Sequence, residues 1–405
     1  MLKRWFIYLF FNLMMPIFVL PILLLGACAA RVHTQWRRQH RLPPRVVWGP
    51  TPIINIKYWS QAIRKLGYPS KTLVYDIYQI NSKEDFDLTI DDFPPRIPCS
   101  RYLKPCFIFV WTLMKFDIFS FFFDGGFMSR TSLRFLECQL IKMAGKKIVV
   151  IPYGRDIAVP GHLGVFEESM MAVDPLLVDR GAYTQKRVLY FTRWADFIIR
   201  NMQVGFLPKF DLLWPNCLAI DTDLWRTGGG ASSADGHSEE VVVAHSSNHR
   251  LIKGTDILIE AIRELQAENL KVRLDLFEKC FNEQVRTGVL CCDVLAEQFI
   301  GGYALSAVEG MSAGKPVLSN LSWHRDDFRR TTCLKECPIV DTSKSQVKDH
   351  LRRLVENPRL REELGRLGRE YALKYHSLEA TGKVWDAIFR YVWWREPIDT
   401  VRVAD

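Results

Sequence analysis

The residues best placed to do chemistry lie between Gly301 and Asn320, in the stretch GGYALSAVEGMSAGKPVLSN. Its only acidic residue is Glu309, which is followed by a Gly-Lys-Pro turn and a short apolar run. If ALSAVEGMSAG is a helix entered from the glycine loop, the free N–H groups of its first turn, around Ser306, would bind an anion such as a diphosphate. Glu309 would then accept hydrogen bonds from the hydroxyls of a ribose. A lone glutamate is more often a solvated helix residue, so this interpretation depends on its surroundings.

A lysine follows another predicted strand, in the preceding part of the chain. The stretch HRLIKGTDILIEAIREL places Lys253 and Gly254 between a predicted strand and its helix. Lys253 would face the same cleft and neutralise a leaving pyrophosphate, while Gly254 would let the loop approach closely. The alternative is a solvated loop lysine. The order and spacing of the two stretches favour the chemical interpretation.

The elements that must position these residues alternate between strand and helix. In the first half, RVVW is a predicted strand, Gly49-Pro50 a tight turn, and the helical pattern after it ends at Gly67. Further predicted strands are KTLVYDI, KFDIFSFFFDGG and KIVVIPY, the last preceded by the helical pattern LRFLECQLIKMAG. This alternation predicts a parallel, doubly wound α/β sheet.

The pattern breaks at residues 226–240, RTGGGASSADGHSEE, which predicts a linker or flexible loop. Beyond it come the strands EVVVAHSS, KVRLDLFE and KPVLSN, the helix GTDILIEAIRELQAE, two charged amphipathic helices and a final aromatic helix, TGKVWDAIFRYVWWRE. The predicted plan is a membrane anchor (1–30), an N-terminal Rossmann-like acceptor domain (31–225), the linker (226–240), a C-terminal nucleotide-sugar-binding Rossmann-like domain (241–380), and a helix with a tail (381–405).

The N-terminal segment from Trp5 to Ala30 has no charged residue and is long enough to cross about 30 Å of hydrocarbon. The chain's net charge of +9 is concentrated near this segment, because eleven cations precede the first acidic residue, Asp76. More of them follow the segment than precede it, so the positive-inside rule places the bulk of the chain in the cytoplasm. The alternatives are a re-entrant hairpin at Pro16 and Pro21, a cleaved signal peptide, and a lipoprotein processing site ending at Cys28.

The ten cysteines are scattered singly apart from Cys291-Cys292, which argues against a disulfide framework or a zinc site. This usage fits a reducing cytoplasm. The cations lie beside an apolar segment and no recognition motif accompanies them, so a nucleic-acid partner is disfavoured.

The second half resembles glycosyltransferase family 4, whose members are retaining, nucleotide-sugar-dependent enzymes with the GT-B fold of two Rossmann-like domains facing a cleft. NHRLIKGTDILIEAI and AVEGMSAGKPVLSN carry the resemblance, and FEKCFNEQV, CCDVLAEQF and LAIDTDLW add to it more loosely. The resemblance implies that Lys253 binds the donor phosphates and Glu309 the ribose. It implies that Gly314 and Lys315 form the turn behind them. Phe281 is a candidate neighbour of the base, with core packing as the alternative.

In the first half the resemblance extends to IPYGRDI, residues 151–157, which is similar to the loop that faces the donor sugar in this family. Arg155 and Asp156 supply its polar groups, and Asp156 joins the candidate catalytic residues. Gly49, in the first tight turn, is assigned to the nucleotide-sugar site as well.

The sequence departs from the family pattern at three positions. Gly301 stands where a first glutamate is often found, eight residues before the second. Asn248 replaces an arginine five residues before the lysine, although Arg250 is near enough to substitute, and Tyr153 replaces a histidine. Either the chain handles its donor sugar differently, with Gln298 or backbone amides in place of the first carboxylate, or it is a binding-competent but inactive relative.

The predicted function is therefore a membrane-associated retaining glycosyltransferase acting on a lipid-linked or other glycan acceptor in cell-envelope glycan or glycolipid synthesis. Lys253, Arg250 and Asp156 are its candidate catalytic residues. No cofactor or metal is expected, since no Asp-x-Asp motif stands at a suitable strand end, and the Asp-x-Asp spacing of Asp221 to Asp223 lies in the interdomain stretch. The alternatives are a GT-B nucleotide-sugar epimerase and a non-catalytic glycan- or nucleotide-binding relative.

Overall fold

The computed structural model describes residues 15–94, 100–226, 232–300, 302–321 and 331–399. The first sheet contains β1 (Val46–Trp48), β2 (Ser70–Val74), β3 (Leu88–Thr89), β4 (Ile118–Phe121), β5 (Lys147–Val150), β6 (Phe197–Arg200) and β7 (Leu212–Leu213). The second contains β8 (Val241–Ser247), β9 (Val272–Glu278), β10 (Val294–Gln298), β11 (Val317–Ser319) and β12 (Val340–Asp341).

The helices of the first half are α1 (Met15–Gln39), α2 (Asn55–Lys65), α3 (Ser100–Lys115), α4 (Glu137–Met143), α5 (Glu167–Val173) and α6 (Leu177–Trp194). Those of the second half are α7 (Arg250–Lys253), α8 (Thr255–Ala267), α9 (Asn282–Cys291), α10 (Leu305–Ser312), α11 (Thr332–Lys335), α12 (Val347–Val355), α13 (Pro358–Tyr375) and α14 (Leu378–Trp394), the last helix of the described chain. The predicted strands and helices are confirmed, most of them with shorter bounds, while β2 and α14 begin earlier than predicted, at Ser70 and Leu378. The predicted helix LRFLECQLIKMAG is helical only in α4, after a 3₁₀ turn at Arg134–Leu136.

Both sheets are parallel and doubly wound. The strand orders are β3-β2-β1-β4-β5-β6-β7 and β12-β11-β10-β8-β9. In each sheet the chain leaves the first strand in one direction and later returns to build the other side, so a switch point lies between β1 and β4 and another between β8 and β10. Ligands of such sheets bind in the crevice beyond the carboxyl ends of the strands at these points.

Apolar side chains cover both faces of each sheet, as parallel sheets require. The last helix, α14, crosses back to the first half. There the ring centroid of Trp385 lies 4.7 Å from that of Trp48, 5.3 Å from that of Trp59 and 5.5 Å from that of Trp214. The end of the chain is therefore part of the core under the first sheet.

The N-terminal helix α1 is continuous through the predicted anchor boundary at residue 30. Four of its apolar residues are buried in the first half: Val19, Leu23, Ala27 and Ala30. Of the predicted anchor segment, residues 1–14 lie outside the described residues. The helix is apolar and long enough to cross a membrane by length and composition, but a buried core helix or a signal sequence passes the same test.

The predicted linker is only partly described, since residues 227–231 lie outside the described residues. Ala234 is buried, and the Arg361 guanidinium donates to the Ser232 carbonyl at 3.1 Å. The later part of this segment therefore packs against the second half, while the domain bounds themselves stay a prediction.

Candidate functional site

Lys253 lies at the carboxyl edge of the second sheet, at the end of α7. Gly254 follows it in the left-handed conformation, with φ of +73°, and turns the chain into α8. The Lys253 ammonium forms an ion pair with Glu297 and lies 3.3 Å from the Ser306 hydroxyl. The lysine is thus held across the switch point, between the end of β8 and the start of α10.

A buried polar chain fixes the start of α8. His245 Nδ1 lies 2.7 Å from the Ala296 carbonyl oxygen, and its Nε2 lies 2.9 Å from the Thr255 hydroxyl, which donates to Ser247 at 2.8 Å. Burial lowers the pKa of His245 to about 4, so the imidazole is neutral at physiological pH. These contacts hold the Lys253 loop at a constant distance from β10.

Glu297, near the end of β10, is a site residue that the sequence did not identify. Its carboxylate is fully buried and, besides Lys253, accepts hydrogen bonds from Ser306 at 2.8 Å and Ser319 at 3.0 Å. The Ala304 N–H at the start of α10 lies 3.4 Å from it. A carboxylate of the protein therefore stands beside the helix N-terminus that was predicted to attract an anion.

Glu309 lies in α10, which confirms the predicted helix. The side chain is buried, and burial raises its pKa to about 7 although a hydrogen bond from Asn282 and the charge of Lys253 oppose this shift. Burial and the nearby Glu309 carboxylate also raise the pKa of Tyr58, on α2 of the first half. Leu305, one turn before Glu309 in α10, packs against the apolar core of the first half, so α10 lies where the two halves of the molecule meet.

Phe281 precedes α9 and lies beside Asn282, the hydrogen-bond partner of Glu309. Its side chain is 64% exposed. A large aromatic residue left in solvent next to a buried carboxylate fits a stacking surface better than the alternative of core packing. The structure thus brings Lys253, Ser306, Glu309 and Phe281 to one edge of the second sheet.

Gly314 and Lys315 lie at the other end of α10. Gly314 adopts a φ of +71°, and the Lys315 N–H donates to the Gly310 carbonyl at 2.9 Å, which closes the helix. A Cβ on Gly365 of α13 would stand 2.1 Å from the Gly314 oxygen, so this turn packs closely against α13. These two residues shape the turn and are not grouped with Lys253.

Arg250 begins α7 and is already paired. Its guanidinium binds both Glu278 oxygens, at 2.7 and 2.8 Å, and Asp256 at 3.0 Å. Its side chain is 45% exposed. Both cations assigned to a leaving diphosphate therefore carry carboxylate partners, which an incoming anion would have to share or displace.

The first-half candidates lie at the carboxyl edge of the first sheet. A Cβ on Gly49 would stand 1.9 Å from the Leu73 oxygen, so only glycine fits after β1. The buried Asp156 carboxylate accepts three backbone N–H groups, from Phe123, Tyr153 and Gly154, at 2.9 to 3.0 Å. Burial and the charge of Asp124 raise its pKa to about 7. Asp156 thus joins the loop after β5 to the end of β4, and its catalytic role stays a prediction.

The three departures from the family pattern are only partly visible. Gly301 lies outside the described residues. Tyr153 donates its hydroxyl to Asp124 at 3.3 Å, and the Gln298 amide donates to the Gly302 carbonyl at 2.7 Å. Asp221 accepts the N–H groups of Asp223 and Leu224 in a turn, and no group of three potential metal ligands occurs within the described part of the chain.

No protein-family model matches this chain. No curated protein matches it either. Among solved structures, sucrose-phosphate synthase from Thermosynechococcus elongatus is 12% identical over 87% of this chain and 100% of its own, with a TM-score of 0.52. A glycosyltransferase from Rickettsia africae ESF-5 is 10% identical over 87% and 100%, with a TM-score of 0.53. At such identity these likenesses establish the fold alone. The two helix-covered parallel sheets fit the two-domain GT-B fold.

Proposed function

We propose that this protein is a membrane-associated retaining glycosyltransferase that moves a hexosyl group from a nucleotide diphosphate donor to a lipid-linked acceptor. The observation that carries the proposal is the grouping of Lys253, Ser306 and Glu309 with the exposed Phe281 at the switch point of the second sheet. The GT-B fold and the resemblance to glycosyltransferase family 4 support the same class of reaction.

The donor would lie along this edge, with the base on Phe281, the ribose at Glu309 and the diphosphate at Lys253 and the first turn of α10. During transfer the bond from the anomeric carbon to the diphosphate oxygen breaks, and a bond to an acceptor hydroxyl oxygen forms. The hydroxyl proton passes to the departing diphosphate. Lys253, with Arg250 beside it, stabilises the charge on that leaving group, so the proposal requires no metal.

The membrane part of the proposal is supported by the surface of α1. Four large apolar side chains in its first three turns are more than half exposed: Ile17, Phe18, Ile22 and Leu25. A contiguous exposed apolar face of this kind marks a contact with lipid or with another protein. With the N-terminal cations, it favours lipid, with the two sheets on the cytoplasmic side.

The donor site is tested by thermal melts of the full chain, purified in detergent, with millimolar UDP-, GDP-, ADP- and dTDP-sugars. We expect one nucleotide class to raise the Tm by at least about 2 °C. Lys253→Ala and Glu309→Ala should each abolish most of this shift, because they remove the phosphate and ribose partners.

Lys271→Ala is the matched control, since Lys271 is exposed at the other end of the second sheet and its ammonium donates only to the Ser238 carbonyl among the described side-chain contacts. Its donor-induced shift should equal that of the wild type. No shift with any nucleotide sugar, or an equal shift in Glu309→Ala, would overturn the site. A product with inverted sugar configuration still attached to its nucleotide would identify an epimerase instead.

A further inference from the structure

A separate polar cavity of about 140 Å³ lies at the switch point of the first sheet. Thr51 follows β1 and Asp124 follows β4, and both side chains line it. The chain leaves these two neighbouring strands in opposite directions, which is the arrangement that opens a crevice in doubly wound sheets. The remaining wall includes Pro50, Tyr75 and Arg130.

Asp124 has unused hydrogen-bonding capacity at this cavity. The Thr51 hydroxyl lies 2.8 and 2.9 Å from its two oxygens, and the Tyr153 hydroxyl lies 3.3 Å from one of them. Each hydroxyl donates one hydrogen and the backbone N–H of Asp124 supplies another, whereas a carboxylate accepts about four. Burial raises the pKa of Asp124, which indicates a carboxylate that gains from further donors.

The chemistry of the cavity selects hydroxyl groups as its ligand. Two carboxylates, Asp76 and Asp124, line the cavity against one guanidinium, Arg130, which is paired with Asp76. This net negative charge disfavours the phosphates of a donor, which have cations in the second half. Hydroxyls donate to Asp124 without bringing negative charge. Pro50 and Tyr75 offer apolar surface beside it, which suits the C–H faces of a sugar ring. The volume of about 140 Å³ suits the hydroxyl-bearing edge of one sugar.

We propose that this crevice is a sugar-binding subsite in which Asp124 accepts hydrogen bonds from hydroxyls of the acceptor. Asp124 thereby orients the acceptor toward the donor edge of the second sheet. The identification of the bound sugar as the acceptor rests on the proposed function, whereas the binding of a sugar at Asp124 does not.

The test uses ligand-observed NMR of the full chain in a sugar-free detergent, with millimolar methyl glycosides of glucose, galactose, mannose and N-acetylglucosamine as probes. We expect saturable binding of at least one glycoside, weakened at least about tenfold in Asp124→Asn. Asp179→Asn, an exposed residue of α6, should leave binding unchanged. The nucleotide-sugar Tm shift should also persist in Asp124→Asn.

Absence of binding by every glycoside, or equal binding by Asp124→Asn, would overturn the subsite. Loss of the nucleotide-sugar shift in Asp124→Asn with glycoside binding intact would place Asp124 in the donor site and overturn it too. If Asp124→Asn does not melt cooperatively, Tyr78→Ala, a half-exposed wall residue, must weaken glycoside binding instead, and unchanged binding would contradict the proposal. Glycoside binding through Asp124 without any nucleotide-sugar shift would leave the subsite standing and remove the proposed transfer.

Discussion

Glu309 combines an unfavourable charge with a position at the cleft. Its pKa rises from 4.5 to about 7 on folding, so the folded state binds more protons than the unfolded state between these values. The free energy of unfolding therefore falls as pH rises through that interval. Glu309→Gln removes this penalty. We expect its Tm to exceed that of the wild type at pH 8, the difference to vanish near pH 5, and the donor-induced shift to shrink at both.

Melts across pH 5 to 8, with and without the stabilising nucleotide sugar, measure both effects. Glu283→Gln is the control, because its side chain is 83% exposed and its substitution should not change the pH dependence. A lower Tm for Glu309→Gln than for the wild type at pH 8 would mean that the carboxylate stabilises the fold. This result would contradict the interpretation that Glu309 lowers the stability of the fold and serves to bind the donor.

The sequence predicts the site residues that stand in recognisable motifs, but not those that only the fold brings to them. Lys253, Ser306 and Glu309 follow from two local stretches and the rule that carboxyl ends of parallel strands share an edge. Glu297 sits in an apolar strand, and nothing local indicates that its carboxylate meets Lys253. The site at Asp124 could not be predicted either, since its hydrogen-bond partner Thr51 lies 73 residues away in the sequence.

Among the helices, α1 differs most from its prediction, because it is attached to the fold by buried charge. The fully buried Asp117 accepts hydrogen bonds from Arg37 at 3.0 Å, Arg45 at 2.9 Å and Lys146 at 2.9 Å. Burial alone would raise the pKa of Asp117, but Arg45 and Lys146 hold it at about 2. This contribution to stability is present above the unfolded pKa of 3.8 and is lost only as pH falls toward 2.

Asp117→Asn should therefore destabilise the protein strongly at neutral pH, by about 3 to 5 kcal/mol, because it leaves Lys146 buried without a counter-charge. Urea unfolding followed by tryptophan fluorescence measures this loss. Asp179→Asn, on the exposed surface of α6, should change stability by less than about 0.5 kcal/mol. A loss for Asp117→Asn as small as this control's would mean that α1 is not held through this cluster.

For the molecule as a whole, alternating strands and helices predict two α/β halves, and the structure confirms them. The return of α14 to the first half has no local signal, because its aromatic pattern would suit any apolar surface. Only the tertiary fold brings Trp385 to Trp48 and Trp59. The first sheet therefore depends on the last helix of the second half, and the two halves are joined at their cores as well as by the linker.

The orientation of α1 relates the proposed membrane contact to the crevice at Asp124. Its C-terminal part lies at the amino edge of the first sheet, where Arg37 meets Asp117, just before β4. From there α1 follows α3, which it meets at Gly26 and Val110, toward the opposite edge. At 1.5 Å per residue, its 25 residues span about 37 Å. The exposed apolar part of α1 therefore stands on the side of the sheet that carries Asp124.

Insertion of this part into lipid would bring a lipid-linked acceptor to the crevice. We expect the full chain to float with vesicles that contain anionic lipid. The floated fraction of the double variant Phe18→Asp, Leu25→Asp should be at least about tenfold smaller, because each carboxylate costs about 2.5 to 3.5 kcal/mol at the membrane centre. Leu373→Asp, a half-exposed position on α13, should float like the wild type. Equal flotation of the wild type, the double variant and Leu373→Asp would show that lipid does not cover α1, and the acceptor would then have to reach Asp124 from solution.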